Sequence, residues 1–479
     1  MAKLKNIIKQ LSDTDYQKIH DSLIEHNADK SAQLLKSMRE KQMSDAKIME
    51  ELDVNTNAYY TLRSRLNQKI EEYLLQQMEN PRTDILKKVA NINEIVFTKK
   101  SAIAAATLKK LEKELLDYDL ANELTIVYKN LKKLNLNSPD YFSYSQLYNR
   151  HVAYMLAVDK AEDILAEFFK KYGNYFLTEN AGDKIALSIL KDEITNISQL
   201  YKSHRLYVYQ SCLHIFHRLF VEGDDSQQED EEPIEDILNN VQRIFEQYYL
   251  DSIYYHLKLV FEFLKLEYYS YYKVYRKAER YYEEVNNEAS TVLTNFAQFT
   301  FPAQFLITKL QRSLRMSTQQ ELYEENIELF EDFESSTLDA PRHIIYVLYR
   351  AVSCYYASKY DEAARWINIL LNEMSLKKYP QAFIEIKSIL ALQYCLLNDF
   401  DLFNQHINSI QRQVRLMGKD SCDHIIVFTK ILKTSLSESS RTKGAKIKQL
   451  VERYNGIKKP AFSVGRFIKL DEDFVSRLS

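Results

Sequence analysis

Two histidines three residues apart, His214 and His217, with His204 and Cys212 nearby, come closest in this chain to a metal-binding pattern. Side chains at i and i+3 share a helix face, and imidazole is a common zinc ligand. A metal also needs ligands from a second element, and nothing in the sequence nominates them. The neighbours Leu213, Ile215, Phe216 and Leu219 read instead as a packed helix. Glycine-rich phosphate loops, the H-E-x-x-H zinc pair and C-x-x-C are all absent. No nucleophile stands beside an identifiable base, and paired carboxylates are expected by chance among 67 acidic residues. No catalytic, cofactor-binding or metal-ligating residue is assigned, and the chain reads as a binding protein rather than an enzyme.

The compositional excess is tyrosine, 35 residues, often in pairs such as Tyr248-Tyr249, Tyr254-Tyr255, Tyr271-Tyr272 and Tyr355-Tyr356. Neighbours on a helix point about 100° apart, so one ring of a pair can pack inside while the other faces a groove. Such tyrosines serve either as amphipathic core fillers or as binding anchors with large area and few rotamers.

These residues need a scaffold, and the composition specifies helices. At 479 residues the chain exceeds one ordinary domain, yet it holds only 7 Gly and 7 Pro. Gly supplies positive φ at turns and Pro interrupts helices and strands. Their scarcity predicts an all-α fold with few sharp turns. The net charge of −3 gives no global attraction to nucleic acid or anionic membrane. Residues 222–232 form an acidic run expected to be a solvated loop. The stretch Lys433 to Lys469 carries ten Lys/Arg against Glu438 and Glu452, and is expected to be a solvated closing helix. The four cysteines have apolar or aromatic neighbours and are expected to be buried. The N-terminal residues lack a signal-peptide apolar core, and no window approaches the roughly 18 apolar residues of a membrane span. The cytoplasm is the expected compartment.

The prolines are periodic. Pro302, Pro341 and Pro380 are spaced by 39 residues, and Pro460 follows Pro380 by 80, with Asp420 midway. Proline is tolerated in a helix's first turn, so these positions are expected to open helices. A second phrase starts the partner helix: Tyr360-Asp361-Glu362-Ala363, Phe400-Asp401-Leu402-Phe403, Tyr118-Asp119-Leu120-Ala121 and Tyr275-Arg276-Lys277-Ala278. Ala363 and Ala391 fall where two helices approach closely. Paired amphipathic helices repeated every 39–40 residues indicate an α-solenoid.

From Pro341 to about Val414 this pattern resembles the tetratricopeptide repeat, with partial resemblance at 266–286, 100–130 and 150–170. The period exceeds the family's, Lys359 and Asn398 stand at its glycine positions, and Trp366 falls in a second helix. The resemblance implies stacked helical hairpins whose concave face holds a protein or peptide. In that register Tyr271, Tyr355 and Tyr356 fall on the concave side as candidate partner-binding residues.

Residues 1–80 do not share the period and form a separate N-terminal helical region, followed by irregular helical repeats over 85–222, an acidic loop at 223–233 and helical repeats like the tetratricopeptide repeat, with a basic C-terminal end, over 234–479. Within 44–70, Ile48 and Leu52 pattern one helix, Asp53-Val54-Asn55 a turn, and Tyr59, Leu62 and Leu66 a second helix capped by Asn55 or Thr56. This resembles the helix-turn-helix of bacterial regulators, with Met49 at the usual small residue and Asp53 at the usual turn glycine. It implies Asn55, Asn57, Arg63 and Arg65 as DNA-facing candidates. Residues 1–80 carry 12 basic and 13 acidic groups, a balance that disfavours nucleic acid. The leading expectation is thus a scaffold or adaptor for a peptide or protein partner, and the alternative is a transcriptional regulator whose repeat region senses a ligand or partner.

Overall fold

The computed structural model describes residues 4, 7–8, 11, 13–26, 28–39, 45–77, 81–201, 203–222, 232–248, 252–330, 336–437 and 443–479. Among them every regular element is a helix, and no helix is long and apolar enough to cross a membrane. Residues 223–231 of the expected acidic loop lie outside the described residues.

The chain forms two compact units, Met1–Tyr118 with Lys129–Ser138, and Asp119–Tyr128 with Pro139–Ser479. The division falls near residues 118–139, and residues 85–117 belong with the N-terminal unit. That unit holds α1 (Asp13–Glu25), α2 (Asp29–Arg39), α3 (Asp45–Glu51), α4 (Thr56–Gln77), α5 (Pro81–Ala90), α6 (Ile92–Thr98) and α7 (Ser101–Asp117). Ile19 and Leu23 of α1, Leu34, Leu35 and Met38 of α2, Ile48 of α3, and Tyr59, Leu66 and Ile70 of α4 share one core.

A helix α8 (Ala121–Leu134) runs through the division. The second unit continues with α9 (Asp140–Thr178), α10 (Ala181–Leu200), α11 (His204–His217) and a π-helical turn Arg218–Glu222. Then come α12 (Ile234–Gln247), α13 (Ser252–Tyr271), α14 (Tyr275–Asn287), α15 (Ala289–Asn295), α16 (Ala303–Met316) and α17 (Leu322–Leu329). The most regular part is α18 (Ala340–Tyr356), α19 (Tyr360–Glu373), α20 (Pro380–Leu396) and α21 (Phe400–Met417). It ends with α22 (Asp423–Ser437), α23 (Lys443–Gly456), α24 (Val464–Phe467) and α25 (Glu472–Leu478). Helices pack as neighbouring pairs, α13 on α14, α18 on α19, α20 on α21 and α22 on α23.

The periodic prolines open helices at three places. Pro341 and Pro380 lie in the first turns of α18 and α20, and Pro302 immediately precedes α16. Asp339 caps α18 by accepting from the Arg342 N–H, and Asp399 caps α21 by accepting from Leu402 N–H. Pro460 is different: it lies in an irregular segment, four residues before α24.

The turns are sharp and numerous, against the expectation drawn from scarce glycine. Asp53, Lys273, Ser317, Ser358 and Asn398 all adopt left-handed φ between 48° and 61°. In the α18–α19 turn the Lys359 N–H donates to Cys354 O (2.8 Å) and the Ser358 N–H to Tyr355 O (3.0 Å). The same pair of bonds closes the turns at Lys273 and Asn398, the Schellman arrangement that satisfies the last helical carbonyls. The left-handed residue is therefore Ser358, not Lys359. Ordinary side chains occupy a conformation that costs them roughly 1–2 kcal/mol, because the hairpin contacts on either side fix it.

Ala363 and Ala391 are fully buried, as their places between helices require. The helices α18 and α20 are buried on almost every side, not along one stripe. A helix apolar all round must be covered all round. The cover is the chain itself. The long helix α9 packs on both α18 and α20, and α24 packs on α16 and α20. At Gly173 of α9 an added Cβ would lie 2.9 Å from Pro341 Cβ, so glycine permits the close approach. The expected solvated closing helix is confined to α23. Residues 462–470 instead form a strap whose Phe462, Val464, Phe467, Ile468 and Leu470 are all buried.

Candidate functional site

The N-terminal unit supplies the candidate site. α3 ends in the left-handed Asp53, whose N–H donates to Glu50 O (3.2 Å), while Val54 N–H donates to Met49 O (3.1 Å). This bend directs α4 away from α3. Asn55 then caps α4, its Oδ1 accepting from the Ala58 N–H at 2.9 Å, so its amide orders the helix start. Ile48, Leu52, Tyr59 and Leu66 anchor the motif inside, and Val54 and Leu62 are half-buried beside them.

The outer face of α4 is uniform in character. Thr56, Asn57, Tyr60, Thr61, Ser64, Arg65, Gln68 and Lys69 are exposed, and Arg63 is half-buried. No acidic residue occurs from Thr56 to Ile70. Glu51 on α3 accepts from the Ser37 hydroxyl at 3.3 Å, toward α2. The even charge balance of residues 1–80 thus conceals a local face that carries only polar and basic groups. Of the four candidates, Asn57 and Arg65 are exposed, Arg63 partly so, and Asn55 is committed to capping.

The tyrosine candidates separate. Tyr355 and Tyr356 are only 2% and 4% exposed, which corrects the expectation that they face a groove. The Tyr356 hydroxyl donates to Phe467 O (3.3 Å) and accepts from Lys469 N–H (3.0 Å). Arg477 donates to Tyr355 O at 3.4 Å and lies over its ring. The Tyr356 hydroxyl holds the C-terminal strap onto α18, and Tyr355 holds Arg477 of α25. Burial pushes both phenols up. Tyr271 is half-buried and lines a cavity between α13, α14 and α16.

The strap has a second anchor that sequence reasoning missed. Glu385, fully buried on α20, accepts from His424 Nε2 (2.6 Å), Gln381 Nε2 (2.8 Å) and Val464 N–H (2.8 Å). A polar residue inside the apolar run of α20 was the available signal.

His214 and His217 are tied to neighbouring helices. His214 meets Thr195 Oγ1 at 2.8 Å, and His217 lies 2.8 Å from Glu222, which also accepts from Lys191 Nζ at 2.8 Å. Burial would raise the Glu222 carboxyl, but Lys191 and His217 together hold it below its ordinary value. Among the described residues no group of three or more His, Cys, Asp or Glu is placed to hold an ion. Ser203, His204 and Asp119 have the residue types of a hydrolase triad in the wrong arrangement. Ser203 donates to Asp119 at 2.5 Å and caps α11 through the Leu206 N–H (3.1 Å), while His204 stacks on Tyr248 at 4.2 Å. All four cysteines are buried.

Comparison with protein-family models, curated proteins and solved structures gives no match to this chain.

Proposed function

We propose that the N-terminal unit binds duplex DNA, with α4 entering the major groove, and that the protein is a regulator of the helix-turn-helix kind. One observation carries this reading: the outer face of the first four turns of α4 is exposed, polar to basic and free of acid, behind a left-handed turn at Asp53. Asn57 and Arg65 have the hydrogen-bonding groups that read base edges, adenine for an amide and guanine for a guanidinium. Arg63 is suited to phosphates, and so is Lys69 once it exchanges its exposed ion pair with Glu72 (3.3 Å) for one. The experiment is selection from a randomised duplex pool by the full-length protein. Convergence on one sequence motif is expected. A pool that stays random through successive rounds at physiological salt overturns the reading.

An adaptor role is a second reading, and a different surface favours it. Ile185 and Ile189, one turn apart on α10, are both more than half exposed, an apolar pair that a protein partner would cover. Ile185→Glu with Ile189→Glu should then abolish co-purification of that partner while leaving DNA selection intact. Unchanged co-purification would remove α10 as the docking face.

A further inference from the structure

The cavity beside Tyr271 has a volume of about 390 Å³ and is bounded by α13, the Lys273 turn, α14, α16 and α24. Its size falls in the usual range for small-molecule sites. Its floor is polar, and the fold, which bonds Glu267 to Gln304 and Thr308, satisfies it only in part. Glu267 is 3% exposed and Gln304 is 2% exposed. Gln304 Nε2 donates to one Glu267 oxygen at 3.4 Å, but Glu267 Oε1 and Gln304 Oε1 have no hydrogen-bond partner. Arg466, which also lines the cavity, has a buried Nε–H in the same condition. A buried polar atom left unpaired forgoes the hydrogen bonds it had in water, so two acceptors and one donor gathered at one floor point to a ligand that completes them.

The opposite end is cationic and rigid. Arg312 and Arg315 donate to the two oxygens of Glu279 at 2.7 and 2.8 Å. Each guanidinium also lies 3.9 Å from a tyrosine ring centre, Arg312 over Tyr282 and Arg315 over Tyr275. Lys273 adds a further charge at the turn. One carboxylate between two arginines leaves that end net positive and its guanidinium planes already ordered. Gln304, Thr308, Arg312 and Arg315 recur along one face of α16, and Gln304 and Arg312 are about 12 Å apart along its axis at 1.5 Å per residue.

We infer that this cavity binds a guanine nucleotide, its base edge on Glu267, Gln304 and Arg466 and its phosphate on Arg312 and Arg315. Guanine offers two adjacent N–H donors and one carbonyl acceptor, the complement of the floor's two acceptors and one donor. Adenine has no such pair of donors facing a carboxylate. The separation of the two ends suits a mononucleotide and exceeds what a lone phosphate spans. The site is independent of α4 and stands whether or not the N-terminal unit binds DNA.

Isothermal titration of the full-length protein with GMP, AMP and inorganic phosphate tests this. GMP is expected to bind at least tenfold more tightly than AMP or phosphate. Glu267→Gln should weaken GMP at least tenfold, because an amide can set a donor where the carboxylate's free Oε1 accepts from the base. Arg315→Gln, at the outer end of the cavity, should weaken GMP and AMP by a similar factor and so separates the phosphate contact from base recognition. Equal affinity for GMP and AMP, binding of phosphate as tight as GMP, unaltered GMP affinity in Glu267→Gln, or no heat with any nucleotide would each overturn the assignment.

Discussion

Two tyrosine pairs at comparable helical positions have opposite surroundings. In α4, Tyr59 is 1% exposed and Tyr60 is 47% exposed, as expected for neighbours about 100° apart on a helix covered on one side. In α18, Tyr355 and Tyr356 are both buried, because α18 has the strap on the side that an open repeat would leave to solvent. A tyrosine pair therefore reports on how many sides of its helix are covered, and by itself does not mark a binding face. The N-terminal unit keeps a polar helix face open, whereas the hairpins of the second unit are closed by their own chain.

The sharpest way to break this contrast is to truncate the rings. Tyr356→Ala should destabilise the protein by about 3–5 kcal/mol, as for a large buried aromatic, and Tyr60→Ala by no more than about 0.5 kcal/mol. Urea unfolding followed by circular dichroism measures both. Similar midpoints for the two variants would show that the strap does not cover α18.

The next effect concerns Glu267. Burial pushes its carboxyl up to about 7, against an ordinary value of 4.5, despite bonds from Thr308 and Gln304 and the charge of Arg466. A carboxyl raised on folding destabilises the ionised native state. The penalty is absent below pH 4.5, grows between 4.5 and 7, and is complete above 7. Glu267→Gln should thus stabilise the unliganded protein at pH 8 by on the order of 3 kcal/mol, and the gain should vanish by about pH 4.5. A gain independent of pH would show that burial does not raise this carboxyl.

Smaller effects test the hairpins. Ala363→Leu and Ala391→Leu should each cost about 1–3 kcal/mol by overpacking, and a parental melting temperature for both would break the assigned contacts. Ser358→Gly should stabilise by up to about 1 kcal/mol by relieving the left-handed conformation. A loss of stability on that substitution would mean the serine side chain contributes more than its strain costs.

Much of the local fold was legible. Pro341 and Pro380 marked first helices, Tyr360 and Phe400 marked second helices, and the buried alanines followed from the same spacing. These features depend on contacts within one hairpin. The strap was not legible, because Glu385 meets Val464 across 79 residues and Tyr356 meets Lys469 across 113, beyond the reach of any periodicity. One signal was available and outweighed. From Ile384 to Cys395 the apolar residues fall on every side of the helix, interrupted by Glu385, Lys387, Ser388 and Gln393, and such a helix has no open apolar stripe to offer a partner. The candidate DNA helix was legible in its pattern, but its charge was averaged over 80 residues when the relevant surface is four turns of α4. The cavity floor escaped because Glu267, Gln304 and Arg466 lie on three separate elements.

The central claim is that the exposed start of α4 is a DNA-reading surface. The most direct measurement is fluorescence anisotropy of a labelled duplex from the selected pool, titrated with the parent and with Arg65→Ala at two salt concentrations. The account predicts that Arg65→Ala weakens binding by about 1–3 kcal/mol, that parental affinity falls steeply with salt through counterion release, and that Tyr356→Ala, where folded, binds like the parent. Equal affinity of parent and Arg65→Ala for the duplex would contradict it.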